Sequence, residues 1–179
     1  MTSQLPISTA DRLELELERL ILNGEYRPGA RINENALAAR FDVSRGAVRE
    51  ACRLLQRSGL VNIVPNQGSF VCVLSVTEIV NLFDVRACLG RLAGRLAAAT
   101  VTRAALQDLR ELIEAMDDAS HASDDERYIS LNIGFHATLY ATTGNAQLAT
   151  LDAQMGKQLR IYRRHGLEDT ALEIEQRAG

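Results

Sequence analysis

The sequence has no tryptophan, few aromatic residues (4%), three cysteines and three histidines among its 179 residues. Because leucine, alanine and arginine are common instead, the composition favours packed helices over a sheet-rich fold. The chain contains no Ser-His-Asp or Cys-His set and no glycine-rich phosphate loop, which argues against an enzyme. No apolar run reaches the length of a membrane span, and the first residues lack signal-peptide order, so we expect a cytoplasmic protein with no membrane partner.

The cysteines are odd in number and widely spaced, at Cys52, Cys72 and Cys88. This arrangement predicts neither a disulfide framework nor a zinc knuckle. We expect all of them to be reduced packing residues.

Charge is distributed unevenly along the chain, although the formal net charge is only −3. Residues 27–73 carry seven arginines and three acidic residues, a balance of +4, whereas residues 74–179 carry eleven basic and fifteen acidic residues, a balance of −4. The distribution of charge, more than its sum, indicates a nucleic-acid binder. We therefore predict a basic domain over residues 1–74 and an acidic domain over residues 75–179.

The basic region contains a helix that begins after Ser44, whose hydroxyl can cap the free backbone donors of the first turn. Apolar residues follow at helical spacing: Val48, Ala51, Leu54 and Leu55. On the other face, long polar side chains recur at Arg45, Arg49, Arg53 and Gln56. A guanidinium can donate to a phosphate or to guanine, so this face can read DNA. The alternative is an ordinary core helix whose charged face is solvated.

The segments around this helix predict a winged helix-turn-helix. Downstream, Gly59 stops the helix and the chain continues as LVNIV, PNQG and SFVCV, a two-stranded hairpin. Upstream lies the short helix ENALAARF with Asn33 as its cap, and Arg31-Ile32 can add a third strand. A supporting helix is predicted from Ser8 or Thr9 to Gly24.

The stretch PGARINENALAARFDVSRGAVREACRLLQRSGLVNIVPNQGSFV resembles the GntR family of bacterial transcription regulators. It shares the PG turn, the acidic-Leu-Ala helix, VSR, VRE, a leucine pair, GL and a glycine-bearing wing. The resemblance implies that Arg45 and Arg49 contact DNA, Ser44 touches phosphate, and Gly68 lets the wing approach the minor groove. The predicted DNA-binding set is completed by Asn35, Arg53 and Asn66. The family usually has Thr-Pro where this chain has Gly46-Ala47, which bears on the geometry of the helix start.

The spacing of apolar residues in the acidic region predicts an all-α antiparallel bundle. A long helix is predicted from residue 75 to about 100, with Thr77 as its cap. Its predicted apolar side consists of Ile79, Leu82, Phe83, Val85, Leu89 and Leu92. Further helices are predicted over 101–118, 124–142 and 145–165, the last capped by Asn145, and LEDTALEIEQRAG begins another.

Two stretches of this region, EIVNLFDVRACLGRLAGRLAA and YISLNIGFHATLYATTGNAQL, resemble the FCD effector domain of the FadR-type branch of the family. The complete domain has more helices than this chain supplies, so we expect a truncated FCD domain. The fold class expected overall is mainly α, with a two- or three-stranded wing sheet followed by an incomplete helical bundle.

The FCD resemblance implies a pocket for a small carboxylate effector beside a divalent metal, zinc or nickel. The candidate effector-binding residues are Arg86, Asn132 and His136, and the candidate metal ligands are Asn132 and His136. Asn132 stands where the family has a carboxylate, and the loss of that charge predicts weak or absent metal binding. The alternative for His136 is a core histidine that bonds to Asn132. The alternative for Arg86 is a structural ion pair with Asp84 or another carboxylate.

These observations lead to one principal hypothesis and two alternatives. The principal hypothesis is a ligand-responsive repressor that binds a near-palindromic DNA operator as a homodimer. The first alternative is a winged-helix module for protein interaction and dimerisation that does not bind DNA specifically. The second is a metal-dependent helical enzyme.

Overall fold

The computed structural model describes residues 8–163 and is mainly helical, with one small sheet. In chain order the elements are α1 (Thr9–Leu22), β1 (Arg31–Ile32), α2 (Glu34–Phe41), α3 (Arg45–Arg57), β2 (Val61–Val64), β3 (Gly68–Val71), α4 (Val76–Thr100), α5 (Arg103–His121), α6 (Asp125–Thr142) and α7 (Ala146–Arg163). The predicted fold class, a winged helix-turn-helix followed by helices, is confirmed. The predicted helix at LEDTALEIEQRAG lies outside the described residues.

The described chain divides into two compact units. The first contains residues 8–79 and 157–163, and the second contains residues 80–156. The α7 helix therefore contributes to both units. The boundary predicted near residue 75 stays a prediction. Within residues 8–163, no helix is both long and apolar enough to cross a membrane.

Side-chain caps determine where the helices begin. The predicted caps Asn33, Ser44 and Asn145 each accept a backbone N–H from the first turn that follows. For α4, the predicted cap Thr77 is wrong. The Ser75 hydroxyl accepts the Glu78 N–H at 3.2 Å, and the Glu78 carboxylate accepts the Ser75 N–H at 2.7 Å. Serine followed three residues later by glutamate satisfies donors in both directions, which Thr77 inside the first turn cannot do.

The core of the first unit lies between α1, α2, α3 and the sheet. Its fully buried residues include Leu17, Leu20, Ile21, Leu37, Val48, Leu55, Leu60 and Val61. The strands are antiparallel in the order β1-β3-β2, and Arg31 of β1 pairs with Phe70 of β3. Because side chains alternate across a strand, Ile32 points into this core while Arg31 is exposed.

The last turn of α7 packs within the first unit. Tyr162 is buried, its hydroxyl accepts the Leu74 N–H, and it donates to the Cys72 carbonyl oxygen at 3.1 Å. Burial raises the pKa of this hydroxyl. One turn earlier, the Lys157 ammonium lies 2.8 Å from the Glu18 carboxylate of α1. This turn thus covers the chain where it leaves the wing.

We expect Tyr162→Phe to lower the free energy of unfolding by about 1–3 kcal/mol, because the buried Leu74 N–H and Cys72 carbonyl would lose their partner. Urea unfolding followed by circular dichroism measures the change. Tyr128→Phe is the control, since it removes a hydroxyl from an exposed position. Equal stability of both variants would show that the Tyr162 hydroxyl does not stabilise this turn.

The core of the second unit centres on Ala93, Tyr140 and Leu148, from α4, α6 and α7. The predicted apolar side of α4 is wrong as a buried face at Phe83 and Val85, which are 41% and 50% exposed. The less exposed face of α4 follows Leu82, Arg86, Leu89, Ala93 and Ala97. This stripe contains an arginine and two small alanines. A prediction from hydrophobicity alone therefore oriented the buried face of α4 wrongly around the helix axis.

The three cysteines differ in burial. Cys52 and Cys72 are buried, as predicted for packing residues, but Cys88 is exposed on α4 and its sulfur lies 3.0 Å from Arg91 Nη2. Cys88 falls outside the less exposed stripe of that helix, which explains the wrong prediction.

Candidate nucleic-acid interface

A groove of about 710 Å³ opens in the first unit, between the start of α2, the exposed side of α3 and the β2–β3 hairpin. Its lining includes six of the seven predicted DNA-binding residues: Asn35, Arg45, Arg49, Arg53, Asn66 and Gly68. The seventh, Ser44, is exposed at the start of α3 and is not part of the lining. The sequence spacing therefore brings these residues to one surface.

The arginines of α3 face outward because the opposite side of the helix is in the core. Val48 and Leu55 are fully buried, whereas the Arg49 and Arg53 side chains are 56% and 66% exposed. Arg45 is also exposed, in the first turn of the helix. The alternative of a merely solvated charged face leaves unexplained why these arginines share a concave surface with the hairpin.

The start of α3 is well formed despite Gly46-Ala47. The Ser44 hydroxyl accepts the Ala47 N–H at 3.1 Å, and the helix begins at Arg45. A serine cap at this position orients the first turn, and with it Arg45, toward the groove.

The tip of the hairpin depends on two residues with positive φ, Asn66 at 61° and Gly68 at 112°. A Cβ at Gly68 would also lie 3.5 Å from Arg31 Nε. That distance is ordinary van der Waals contact, so it is the positive φ of the turn that requires glycine at this position.

Sequence reasoning did not assign five polar residues of this lining to the interface: Arg31, Asn33, Glu34, Gln67 and Ser69. The strand alternation around Ile32 was a sufficient signal for Arg31, because a buried Ile32 leaves its neighbour on the outer face. Glu34 had no such signal, since an acidic residue in the first turn of a helix is common for electrostatic reasons alone.

In the second unit, Arg86 forms an ion pair, and its carboxylate partner is Asp152 and not Asp84. Arg86 Nε and Nη2 donate to the two Asp152 carboxylate oxygens at 2.8 and 3.1 Å. Only 12% of the Arg86 side chain and 7% of the Asp152 side chain are exposed. The structural alternative for Arg86 is thus realised, and its contact with an effector stays a prediction.

Tyr140 lies beside this pair. Burial, followed by the Asp152 charge, raises the pKa of Tyr140 to about 12. The hydroxyl is buried, and among residues 8–163 no partner meets both the distance and the angle of a hydrogen bond to it. The ring stacks with His136 at a centroid distance of 6.1 Å. A hydroxyl, a guanidinium and a carboxylate therefore share one buried polar region.

The other candidate effector and metal residues, Asn132 and His136, are both half-buried on α6. No three His, Cys, Asp or Glu side chains converge as a metal site anywhere within the described part of the chain. Metal binding at Asn132 and His136 stays a prediction.

Comparison with known proteins matches the two regions to two families. Residues 9–71 match the model of bacterial regulatory proteins, gntR family, and residues 81–177 match the FCD domain. The chain is 34% identical over 137 residues to the uncharacterized HTH-type transcriptional regulator YdhC of Bacillus subtilis (strain 168), covering 76% of this chain and 61% of YdhC. It is 32% identical over 151 residues to the Nta operon transcriptional regulator of Aminobacter aminovorans, covering 84% and 71%. The chain thus spans less than two thirds of the Bacillus relative.

The solved structure of a GntR regulator from Rhodococcus sp. RHA1 is similar to this fold. It superposes with a TM-score of 0.69 at 27% identity, covering 93% of this chain and 84% of that chain. The gntR family and the two curated relatives are transcription regulators, as the sequence predicted for this chain. The chain belongs to the gntR family of bacterial transcription regulators and carries an FCD domain after its winged helix.

Proposed function

We propose that the protein is a ligand-responsive repressor that binds a near-palindromic operator as a homodimer in the cytoplasm. The observation that carries this proposal is the groove in which Arg45, Arg49 and Arg53 of α3 share one surface with Asn66 and Gly68 of the hairpin. An α-helix fits the major groove of DNA, which is about 12 Å wide.

The positions of the groove residues suggest a division of tasks. Arg45 and Arg49 lie in the first half of α3, the part of a recognition helix that contacts base edges. Arg53 lies further along, where a guanidinium can hold phosphate. Asn66 and Gly68, with Ser44 and Asn35 at the helix starts, contact the sugar-phosphate backbone or the minor groove. Base contacts give specificity, and phosphate contacts give affinity.

A homodimer accounts for an exposed apolar stripe on α4. Val76, Val80 and Phe83 recur at helical spacing, with 58%, 51% and 41% exposure. Burial of this stripe against a second copy would remove apolar surface from water. Two recognition helices could then enter successive major grooves about 34 Å apart, as a near-palindromic operator requires.

A small carboxylate effector is proposed for the polar region around Arg86, with Asn132 and His136. Because Arg86 already holds Asp152 at 2.8 Å, an entering carboxylate would compete with Asp152 for the guanidinium. Such binding can change operator affinity through a coupling of about 1–3 kcal/mol. Repression is the mode of regulation that the family resemblance implies.

The described residues fit a metal poorly. Asn132 and His136 offer one amide oxygen and one ring nitrogen, whereas zinc takes three or four protein ligands. We propose that metal binding by this chain is weak or absent.

DNA binding is tested by fluorescence anisotropy with a duplex taken from the region upstream of the protein's own coding sequence. We expect affinity to fall by about 1,000-fold between 50 and 200 mM salt, because a dimer that neutralises about six phosphates in total releases a similar number of counterions. A shuffled duplex of equal length is the control and should bind more weakly at both salt levels. Absence of salt-dependent binding would instead favour the protein-interaction module.

A further inference from the structure

Within the part of the chain that the structure describes, the groove is lined by one carboxylate, that of Glu34, among basic, polar and apolar residues. A negative charge on a DNA-binding surface repels phosphates and lowers affinity. Its side chain is only 19% exposed, and its Oε2 atom accepts the Arg49 Nε–H at 2.8 Å. A carboxylate that orients a base-reading arginine can offset this cost in affinity through sequence discrimination.

The backbone holds Glu34 in place. It is the first residue of α2, directly after the cap Asn33, whose side chain accepts two backbone N–H groups of the first turn. Three residues further, Leu37 is buried in the core and anchors the helix. The carboxylate therefore approaches α3 from a fixed position on a neighbouring helix, 15 residues away in sequence from Arg49.

This contact restricts what Arg49 can do. The Nε–H donates to Glu34 while the Arg49 side chain is 56% exposed, so this hydrogen bond does not use the two terminal nitrogens, Nη1 and Nη2. Those two nitrogens form the fork that can donate to O6 and N7 of guanine. An arginine whose stem is already oriented loses less conformational freedom on binding than a free one.

We propose that Glu34 is a positioning residue that determines which base Arg49 reads, giving up affinity for phosphate in exchange for sequence discrimination. This inference rests on the proposed DNA-binding function. It assigns to the family's groove a residue that acts through an arginine and does not itself need to touch DNA.

The neighbouring pair Arg53–Glu50 provides a contrast within the same helix. Its two side chains are three residues apart on α3, joined at 3.1 Å, and 66% and 49% exposed. Glu50 is not part of the groove lining. An exposed pair of this kind contributes little and leaves the guanidinium free to move. Glu50→Ala is therefore a matched control, since it removes a carboxylate that is paired with another groove arginine, Arg53, without releasing Arg49.

The test is selection of bound sequences from a randomised duplex library by the full chain, followed by sequencing, with a separate affinity measurement on random duplex. Wild type is expected to enrich a motif, and Arg49→Ala should abolish preference at one position of each half-site. Glu34→Ala should weaken preference at that same position by about tenfold or more, the range of one bidentate base contact. It should also bind random duplex several-fold more tightly.

Glu34→Gln separates the charge from the hydrogen bond. It should bind random duplex as tightly as Glu34→Ala, because the charge is gone, but retain part of the base preference, because its amide oxygen can still accept from Arg49. Glu50→Ala should leave the motif unchanged. Full base preference in Glu34→Ala, while Arg49→Ala loses it, would overturn the inference and leave the proposed function intact. If wild type enriches no motif, both fail.

Discussion

Replacing Arg45 and Arg49 together with alanine is expected to abolish sequence-specific operator binding and leave the protein folded. Each bidentate contact to a base provides about 1–3 kcal/mol of discrimination, so losing two weakens specific binding on the order of 100-fold or more. Both side chains are exposed, and the buried face of α3 is untouched, so the melting temperature should stay close to that of wild type. Anisotropy on operator and random duplexes, with a thermal melt beside it, measures both effects.

The matched control for this variant is Arg57→Ala. Arg57 is exposed in the last turn of the same helix and lies outside the groove lining. Its replacement also removes a positive charge, so any general electrostatic loss appears in both variants. If Arg57→Ala weakens operator binding as much as the double variant does, the groove is not the reading surface.

A second large effect is expected in the other unit, where Asp152→Ala should lower the free energy of unfolding by about 3–5 kcal/mol. The substitution would leave the Arg86 guanidinium charged with no carboxylate in a site where only 12% of its side chain is exposed. Uncompensated buried charge is among the most destabilising changes a single substitution can make. Chemical denaturation of the full chain measures the loss.

Two further variants identify the cause of that loss. Replacing both partners, as Arg86→Met with Asp152→Leu, should recover most of the stability, because apolar side chains of similar size can replace a buried pair. Asp84→Ala, at an exposed position of α4, should have little effect. A single Asp152→Ala variant as stable as wild type would mean that the pair is not energetically important.

Local features of this protein were predictable from its sequence. The caps Asn33, Ser44 and Asn145 act on groups within three residues of themselves, and the hairpin turn depends on the Asn66 and Gly68 backbone. Such features need only the chemistry of adjacent residues. These local features were sufficient to predict six residues of the groove lining, because α2, α3 and the hairpin follow one another in the chain.

Features that depend on distant partners were not predictable in the same way. Asp152 lies 66 residues from Arg86, and Glu34 lies 15 residues from Arg49 on a different helix. The spacing of apolar residues indicates that a helix has a buried face, but it gives the orientation of that face around the helix axis only roughly. In α4 the half-buried position is Arg86, and the prediction placed the apolar Val85 there instead. Alanine and a paired arginine can occupy inner positions that a hydrophobicity pattern assigns to larger apolar residues.

The membership of α7 in both compact units has a practical consequence for protein engineering. A DNA-binding head excised as one uninterrupted segment, such as residues 8–79, would lack the Tyr162 side chain that satisfies the Leu74 N–H and the Cys72 carbonyl. A chimera that grafts this head onto another effector domain therefore needs the sequence of residues 157–163 transplanted as well, as a second insert.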